Sequence, residues 1–300
     1  MYLIKHCPTH ALKGTETSPH ECGSKPHHLH MQTTHPNTRK HLKTEPVSDV
    51  SHCFSGAQLD CDRTMSIHCQ LLILILALTL DGQVRTGEII GGREAAAHSR
   101  PYMVLLEGRM PSGKTKHCGG FLLNEDFVMT AAHCMACSYI VLLGVHNFHN
   151  NNGIQRISVV QTFPRKDYNE TDFRNDIMLL KLSSKAKFSP NVQPIALAGQ
   201  GDGSLPTSCI VSGWGRTDKD KKYMSVVLME ANVTISTECE KEKSYCTEGE
   251  TGPGNGDSGG PLVCEDGKAY GVVSSGYLNK YSYAKIPDYI SWIDLIMNKQ

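Results

Sequence analysis

The chain has 300 residues, 39% of them hydrophobic, and its 30 basic and 30 acidic side chains leave no formal net charge. That length allows one large domain or two small ones, and the charge balance excludes the basic bias expected of a nucleic-acid-binding protein. Twelve cysteines are many for a cytosolic chain and point to an oxidising compartment.

Residues 1–64 are polar and rich in His, Thr and Pro, as in GSKPHHLHMQTTHPNTRKHLK, without sustained apolar periodicity. No core can form from them, so the segment is either disordered or an upstream extension absent from the natural product. The cluster of His27, His28 and His30 is at most a weak metal binder. Residues 65–86 read differently. Met65 is placed as a start, and an apolar run from Leu71 to Leu80 gives way to small and polar residues. This ten-residue run, apolar but for Thr79, suits a signal-peptide core and is too short to span a bilayer, so no transmembrane anchor is expected. The fold is therefore expected to begin at Ile89.

From there, short apolar runs recur along the chain: PYMVLLEG, GGFLLN, DFVMTAA, YIVLLGV, IQRISVV, DIMLLKL, CIVSGWG, SVVLMEANVTI, PLVC and AYGVVSS. Each holds four to eleven residues, is rich in Val, Ile and Leu, and is bounded by Gly, Asn, Pro or charge. This predicts many strands in an all-β sandwich or barrel rather than βαβ units. The end of the chain changes period. Tyr289, Trp292, Ile293 and Ile296 recur at helical spacing after Pro287 and Asp288, which predicts a closing amphipathic helix.

Near the end lies GETGPGNGDSGGPLVC (249–264), six glycines and two prolines around Ser258. Such composition marks turns of every kind. GDSGG also fits G-x-S-x-G, the nucleophile turn of α/β-hydrolases, but that fold needs its histidine after the serine. The last histidine here is His149, so any base must come from upstream. Among His98, His117, His133, His146 and His149, His133 stands out in VMTAAHC. It ends an apolar run, follows two small alanines and precedes Cys134. Asp176 in FRNDIMLLKL is a carboxylate entering an apolar strand, where its charge would be desolvated yet held. His133, Asp176 and Ser258 thus stand in the order His–Asp–Ser.

At this point a family resemblance becomes plain. IIGG (89–92), TAAHC (130–134), DIMLLKL (176–182), SGWG (212–215) and GDSGGPL (256–262) resemble a chymotrypsin-fold, trypsin-like serine protease, and the match covers essentially all of 89–300. The resemblance implies two six-stranded antiparallel β-barrels with the active site between them and a C-terminal α-helix. It implies that Ser258 attacks the scissile carbonyl, that His133 shuttles the proton and that Asp176 orients the imidazole. Backbone N–H groups of Gly256 and Ser258 would line the oxyanion hole, and cleavage before Ile89 would free an amine to pair with Asp257. Gly87 and Glu88 look like the acidic activation dipeptide of granzymes, mast-cell chymases, duodenase and cathepsin G. A dipeptidyl peptidase removes it there.

The same resemblance selects the disulfides Cys118–Cys134, Cys209–Cys264 and Cys239–Cys246. Cys137 is left over, as a free thiol or a partner for another chain. Gly254 stands where many relatives carry the first cysteine of a further bridge. Gly252 falls at the base of the primary specificity pocket. Ser274, Ser275 and Gly276 match the strand that pairs with substrate backbone, and Tyr281 to Tyr283 should form the pocket's far side. With no aspartate at its base, the pocket implies cleavage after apolar or aromatic residues, unless Glu250 or Lys280 swings in. The segment 239–246 is shorter than the family's usual connection. Sequons at Asn169 and Asn232 fit a secreted or granule-stored glycoprotein. No cofactor or metal is expected. The partners expected are protein and peptide substrates and serpin-type inhibitors. The competing reading is a catalytically inactive protease homologue acting as a binding protein.

Overall fold

The structure is a computed structural model, and it describes residues 89–150, 152–201, 206–217, 223–237 and 242–299. The proposed leader 1–64, the signal segment 65–86, the dipeptide 87–88 and Cys239 lie outside the described residues.

The first barrel is built from β2 (Met103–Arg109), β3 (Thr115–Leu122), β4 (Phe127–Thr130), β5 (Ser138–Leu143), β6 (Gln155–Pro164) and β7 (Met178–Leu182). It closes in the order β2-β3-β4-β7-β6-β5, with every neighbour antiparallel. The second barrel uses β8 (Ser208–Gly213), β9 (Met229–Ser236), β10 (Ser244–Glu248), β11 (Pro261–Cys264), β12 (Ala269–Tyr277) and β13 (Lys280–Lys285). Pairing of β8 with both β9 and β11 closes it, and the two-residue β1 (Arg93–Glu94) adds on beside β9. Closure satisfies the edge hydrogen bonds of every long strand, which is how an all-β chain avoids open edges.

Each barrel has its own apolar filling. Phe121, Leu122, Val128, Met129 and Leu179 are fully shielded in the first, and Val211, Leu262 and Tyr283 in the second. A third cluster joins β2 and β5 to the second barrel through Trp214 and Leu228. The Trp214 indole N–H donates to the carbonyl of His146 at 3.1 Å, so this large buried side chain leaves no unpaired polar atom.

After a 3₁₀ turn over Ile286–Tyr289, α1 (Ile290–Met297) closes the chain. The expected helix is there, with Ile293 buried and Trp292 and Ile296 packed against the first barrel's core. It therefore straps the end of the second barrel back onto the first. The Arg165 guanidinium lies 5.6 Å from the Tyr289 ring and 5.5 Å from the Trp292 ring, a cation–π clamp on that strap.

Two disulfides have both ends among the described residues. Cys118–Cys134 closes a loop of 16 residues around the end of β4, and Cys209–Cys264 joins directly opposed residues of β8 and β11. Closing a loop of that first size is worth about 3 kcal/mol in the chain-entropy view. Cys137 and Cys246 are also disulfide-bonded. This corrects the sequence reading, which left Cys137 either free or paired with another chain.

Candidate active site

The end of β4 runs into a 3₁₀ turn over Ala132–Cys134, which presents His133 at the rim of the first barrel. The disulfide at Cys134 anchors the turn on one side. On the other, the Lys116 ammonium donates to the His133 carbonyl at 2.8 Å. Burial lowers the Lys116 pKa, and the nearby Asp176 charge partly offsets that fall.

Asp176 enters β7 from a turn in which Phe173 and Asn175 adopt positive φ of 57° and 56°. Its side chain is fully buried, so each oxygen needs partners. Oδ1 accepts the His133 backbone N–H at 2.8 Å. Oδ2 lies 2.7 Å from the imidazole Nδ1 and also accepts the Ser274 hydroxyl at 2.6 Å. Three bonds thus fix one carboxylate, and a carboxylate on Nδ1 favours the tautomer whose Nε2 is a free acceptor. Phe173 sets its ring edge-on to the imidazole at 5.6 Å between centroids. Tyr289 reaches back from the C-terminal strap to donate to Asn175 Oδ1 at 3.1 Å.

Ser258 arrives from the second barrel, half-buried, on a turn knitted by backbone bonds. Asp257 N–H donates to Gly254 O at 3.1 Å and Gly260 N–H to Asp257 O at 2.9 Å. Gly259 N–H donates to Val273 O at 2.8 Å. Across the barrel boundary, Gly119 N–H of β3 donates to the Ser258 carbonyl at 2.8 Å. Gly256 has φ +109°, a region open to glycine and hostile to other residues. The glycine-rich stretch is therefore a bonded turn and not a loose linker.

Asp257 is buried beneath this turn. Its carboxylate accepts N–H bonds from Gly215 at 2.6 Å and Gly254 at 2.8 Å, and no cation pairs with it among the described residues. Burial outweighs those bonds and pushes its pKa up to about 6. A methyl group on Gly213 would lie 2.0 Å from Asp257 Oδ1, and one on Gly215 2.5 Å from the carboxylate. Those glycines of SGWG are the cradle of this acid, a role that the sequence reading did not assign. Ile89 is completely buried in the second barrel's core, and the Ile90 carbonyl accepts the Gly252 N–H at 3.0 Å.

His133, Ser258 and Ser274–Gly276 line one cleft of about 450 Å³. No hydrogen bond joins the Ser258 hydroxyl to the His133 imidazole among the described residues. Arg216, Phe173 and Asn255 also line this cleft, and sequence reasoning missed all three. Lys280 instead pairs with Glu248 at 3.1 Å, and Glu250 is exposed. The expected tyrosine wall is halved. Tyr281 lines the cleft, whereas Tyr283 turns into the barrel core and bonds Thr247 at 2.9 Å. Gly252 is covered by the Tyr281 ring, whose Cε2 would meet a methyl group there at 2.4 Å.

Comparison with known proteins agrees with this architecture. The family profile described as Trypsin matches residues 89–293. Granzyme B(G,H) of Mus musculus is 41% identical over 246 residues, spanning 76% of this chain and 98% of that protein. Cathepsin G of Homo sapiens is 36% identical over 243 residues, spanning 76% and 94%. A solved structure titled "Structure of GrC" is similar at a TM-score of 0.65 and 36% identity, covering 70% of this chain and 100% of that one. Two closed six-stranded barrels, the profile match and these relatives together place the chain in the trypsin family, as a granzyme-like serine endopeptidase.

Proposed function

We propose that the chain is the precursor of a secreted or granule-stored endopeptidase that hydrolyses peptide bonds through Ser258, His133 and Asp176. The observation that carries this reading is the buried Asp176 carboxylate hydrogen-bonded to His133, which lines one cleft with Ser258. Ser258 Oγ attacks the scissile carbonyl carbon while His133 Nε2 takes its proton. The Gly256 and Ser258 N–H groups receive the developing oxyanion, each such donor being worth about 2.7–4 kcal/mol. Collapse returns the proton to the leaving amine and leaves an acyl-enzyme, which water then cleaves by the same path.

Two steps prepare the site. Signal-peptide removal after residue 86 leaves Gly87-Glu88, and a dipeptidyl peptidase then exposes the Ile89 amine. That amine pairs with Asp257, a carboxylate whose burial without a cation is costly. Substrates are proteins and peptides, and serpin-type inhibitors would meet the same cleft. Asn169 and Asn232 are the glycosylation sites of this reading, with Asn232 exposed on β9. Gly252 brings no charge to the base of the pocket, which supports an apolar or aromatic residue before the scissile bond; Arg216 lines the same cleft.

The missing Ser258–His133 hydrogen bond favours a second reading, an inactive homologue that binds peptides. Catalytic hydrogen bonds are often long before substrate arrives. A chain trimmed to begin at Ile89 and exposed to a fluorophosphonate probe separates the two readings. Labelling of this chain and its loss in Ser258→Ala is the expected result; absence of labelling in the trimmed chain would leave the binding homologue.

A further inference from the structure

A second cleft, of about 310 Å³, lies beside the turn that leads to Asp176 and shares none of its described lining with the catalytic cleft. Among the described residues it is lined by Asp167, Asn169, Arg174, Asn175, Glu242 and Lys243. All six carry hydrogen-bonding groups and none is apolar. Two are acids and two are bases, so their formal charges cancel. Asp167 is already engaged by the Arg165 guanidinium at 2.9 and 2.8 Å, and Arg174 by Asp172 at 2.7 Å. Such a lining does not select a phosphate or a metal cation. It matches a neutral ligand rich in hydroxyl and amide groups, and the volume is at the lower end of ligand sites, which run about 300–1,000 Å³. The wall itself holds an attachment point for one. Asn169 opens the sequon Asn169-Glu170-Thr171. Its Oδ1 accepts the Thr171 N–H at 2.9 Å, and no hydrogen bond among the described residues uses Nδ2, the atom that takes an N-linked sugar. Across the cleft, Glu242 and Lys243 belong to the connection that is shorter here than is usual in the family.

We infer that this cleft is the seat of an N-linked glycan on Asn169, whose first sugars join the turn before Asp176 to the segment before β10. This rests on the secreted reading above and deepens it: that reading names the acceptor asparagine, and the cleft gives its glycan a structural role. The near wall includes Asn175, whose Nδ2 donates to the Asp167 carbonyl at 3.0 Å and whose Oδ1 accepts the Tyr289 hydroxyl. Asn175 directly precedes Asp176, so whatever steadies this wall steadies the turn that presents the orienting carboxylate. The far wall is tied to β13, because the Lys243 carbonyl accepts the Lys285 N–H at 3.0 Å. Sugar hydroxyls and the N-acetyl amide both donate and accept, so a seated glycan bonds to both walls and adds local stability to each. Asn232 provides the contrast, since it is exposed on β9 and lines neither cleft.

The test uses the chain secreted from a cell that N-glycosylates its exports, with translation started at Met65. Peptide mapping before and after treatment with a peptide N-glycosidase reads the occupancy of each asparagine. Amide hydrogen exchange then follows residues 165–176 and 242–248. The expected result is a sugar on Asn169 and, once it is removed, about tenfold faster exchange in both segments. That is the effect of one net hydrogen bond at the upper end of its usual range. Asn169→Gln and Thr171→Ala should give the same rise, whereas Asn232→Gln should leave both segments unchanged. Combined Glu242→Ala and Lys243→Ala should keep the sugar yet reproduce the faster exchange of 165–176. A bare Asn169 in the secreted protein would overturn the inference. So would a rise confined to 165–176, which means a glycan that never touches the far wall. If the variants are not secreted, enzymatic removal of the sugar from the folded wild type gives the same decision. A bare Asn169 beside a glycosylated Asn232 would leave the secreted reading standing, while a retained chain with neither asparagine modified would overturn both. Fluorophosphonate labelling reports on the endopeptidase reading separately.

Discussion

The two walls of the cleft are held by different physics. On the first barrel, side chains do the holding: Asp176 receives bonds from the His133 backbone, the imidazole and Ser274, and the arrangement is complete within the described residues. On the second barrel the backbone does it. Ser258 rides a glycine turn laid over Asp257, whose carboxylate has two N–H donors and, among the described residues, no counter-charge. The first wall's carboxylate has its hydrogen-bond partners in place, whereas the second wall's buried acid has none that is charged among the described residues. The proposed pairing of the Ile89 amine with Asp257 would act on that second wall and leave the first unchanged.

The comparison breaks most visibly at Asp176. Asp176→Asn keeps the shape but no longer favours the same imidazole tautomer, and kcat of the trimmed enzyme should fall about 10⁴-fold. Single-turnover kinetics with an ester substrate would measure it. Next comes Asp257. In the trimmed chain, Asp257→Asn removes the proposed partner of the Ile89 amine and loosens the Gly256 N–H, so kcat should fall about 10²–10³-fold, the worth of one oxyanion donor. In the uncleaved chain the same change removes a buried acid but turns an amide NH2 onto one of its two backbone N–H donors, so stability there should change less than in the trimmed chain, where it also orphans the proposed amine. Equal losses in both forms would remove Asp257 from the proposed switch.

The pH dependence of stability sharpens the same point. The folded-state pKa of Asp257, about 6, lies above its ordinary 3.8. Between those values the native uncleaved chain binds more protons than the unfolded one, so its stability falls as pH rises from 4 to 6. Above pH 6 the cost is fully present, at about 3 kcal/mol. Amine pairing in the trimmed chain should bring that pKa down and remove the slope. Urea titrations of both forms across pH 4 to 7 would read it, and parallel slopes would remove Asp257 from the switch.

What was legible in the sequence follows the same division. His133, Asp176 and Ser258 stand out because their chemistry sits in distinctive short motifs, and ten of the strands announce themselves as apolar runs. β10 and β13 do not. Their buried positions are Tyr245, Thr247, Tyr281, Tyr283 and Ala284, so alternation is carried by hydroxyl-bearing residues that do not read as a core. The glycine cradle of Asp257 was visible as SGWG but not interpretable, since only the fold brings Gly213 and Gly215 against a side chain more than forty residues away. Lys116, Phe173 and Arg216 lack any motif, and contact geometry alone brings them to the site.

The smallest effect tests how settled the first wall is. Ser274 donates to the Asp176 oxygen that also faces the imidazole, at 2.6 Å. A hydrogen bond to a charged group is worth about 1.5–3 kcal/mol, so Ser274→Ala should lower kcat about tenfold or somewhat more. The imidazole and the His133 N–H still hold the carboxylate, which keeps the loss far below that of Asp176→Asn. Because the bond acts on the acid that orients the base, the change should appear in the pH profile of kcat as a shifted acid limb, with KM little altered. A fall in kcat with an unshifted profile would make Ser274 a wall of the cleft and nothing more. A loss as large as that of Asp176→Asn would show that three bonds are all required, and that the first wall is no more forgiving than the second.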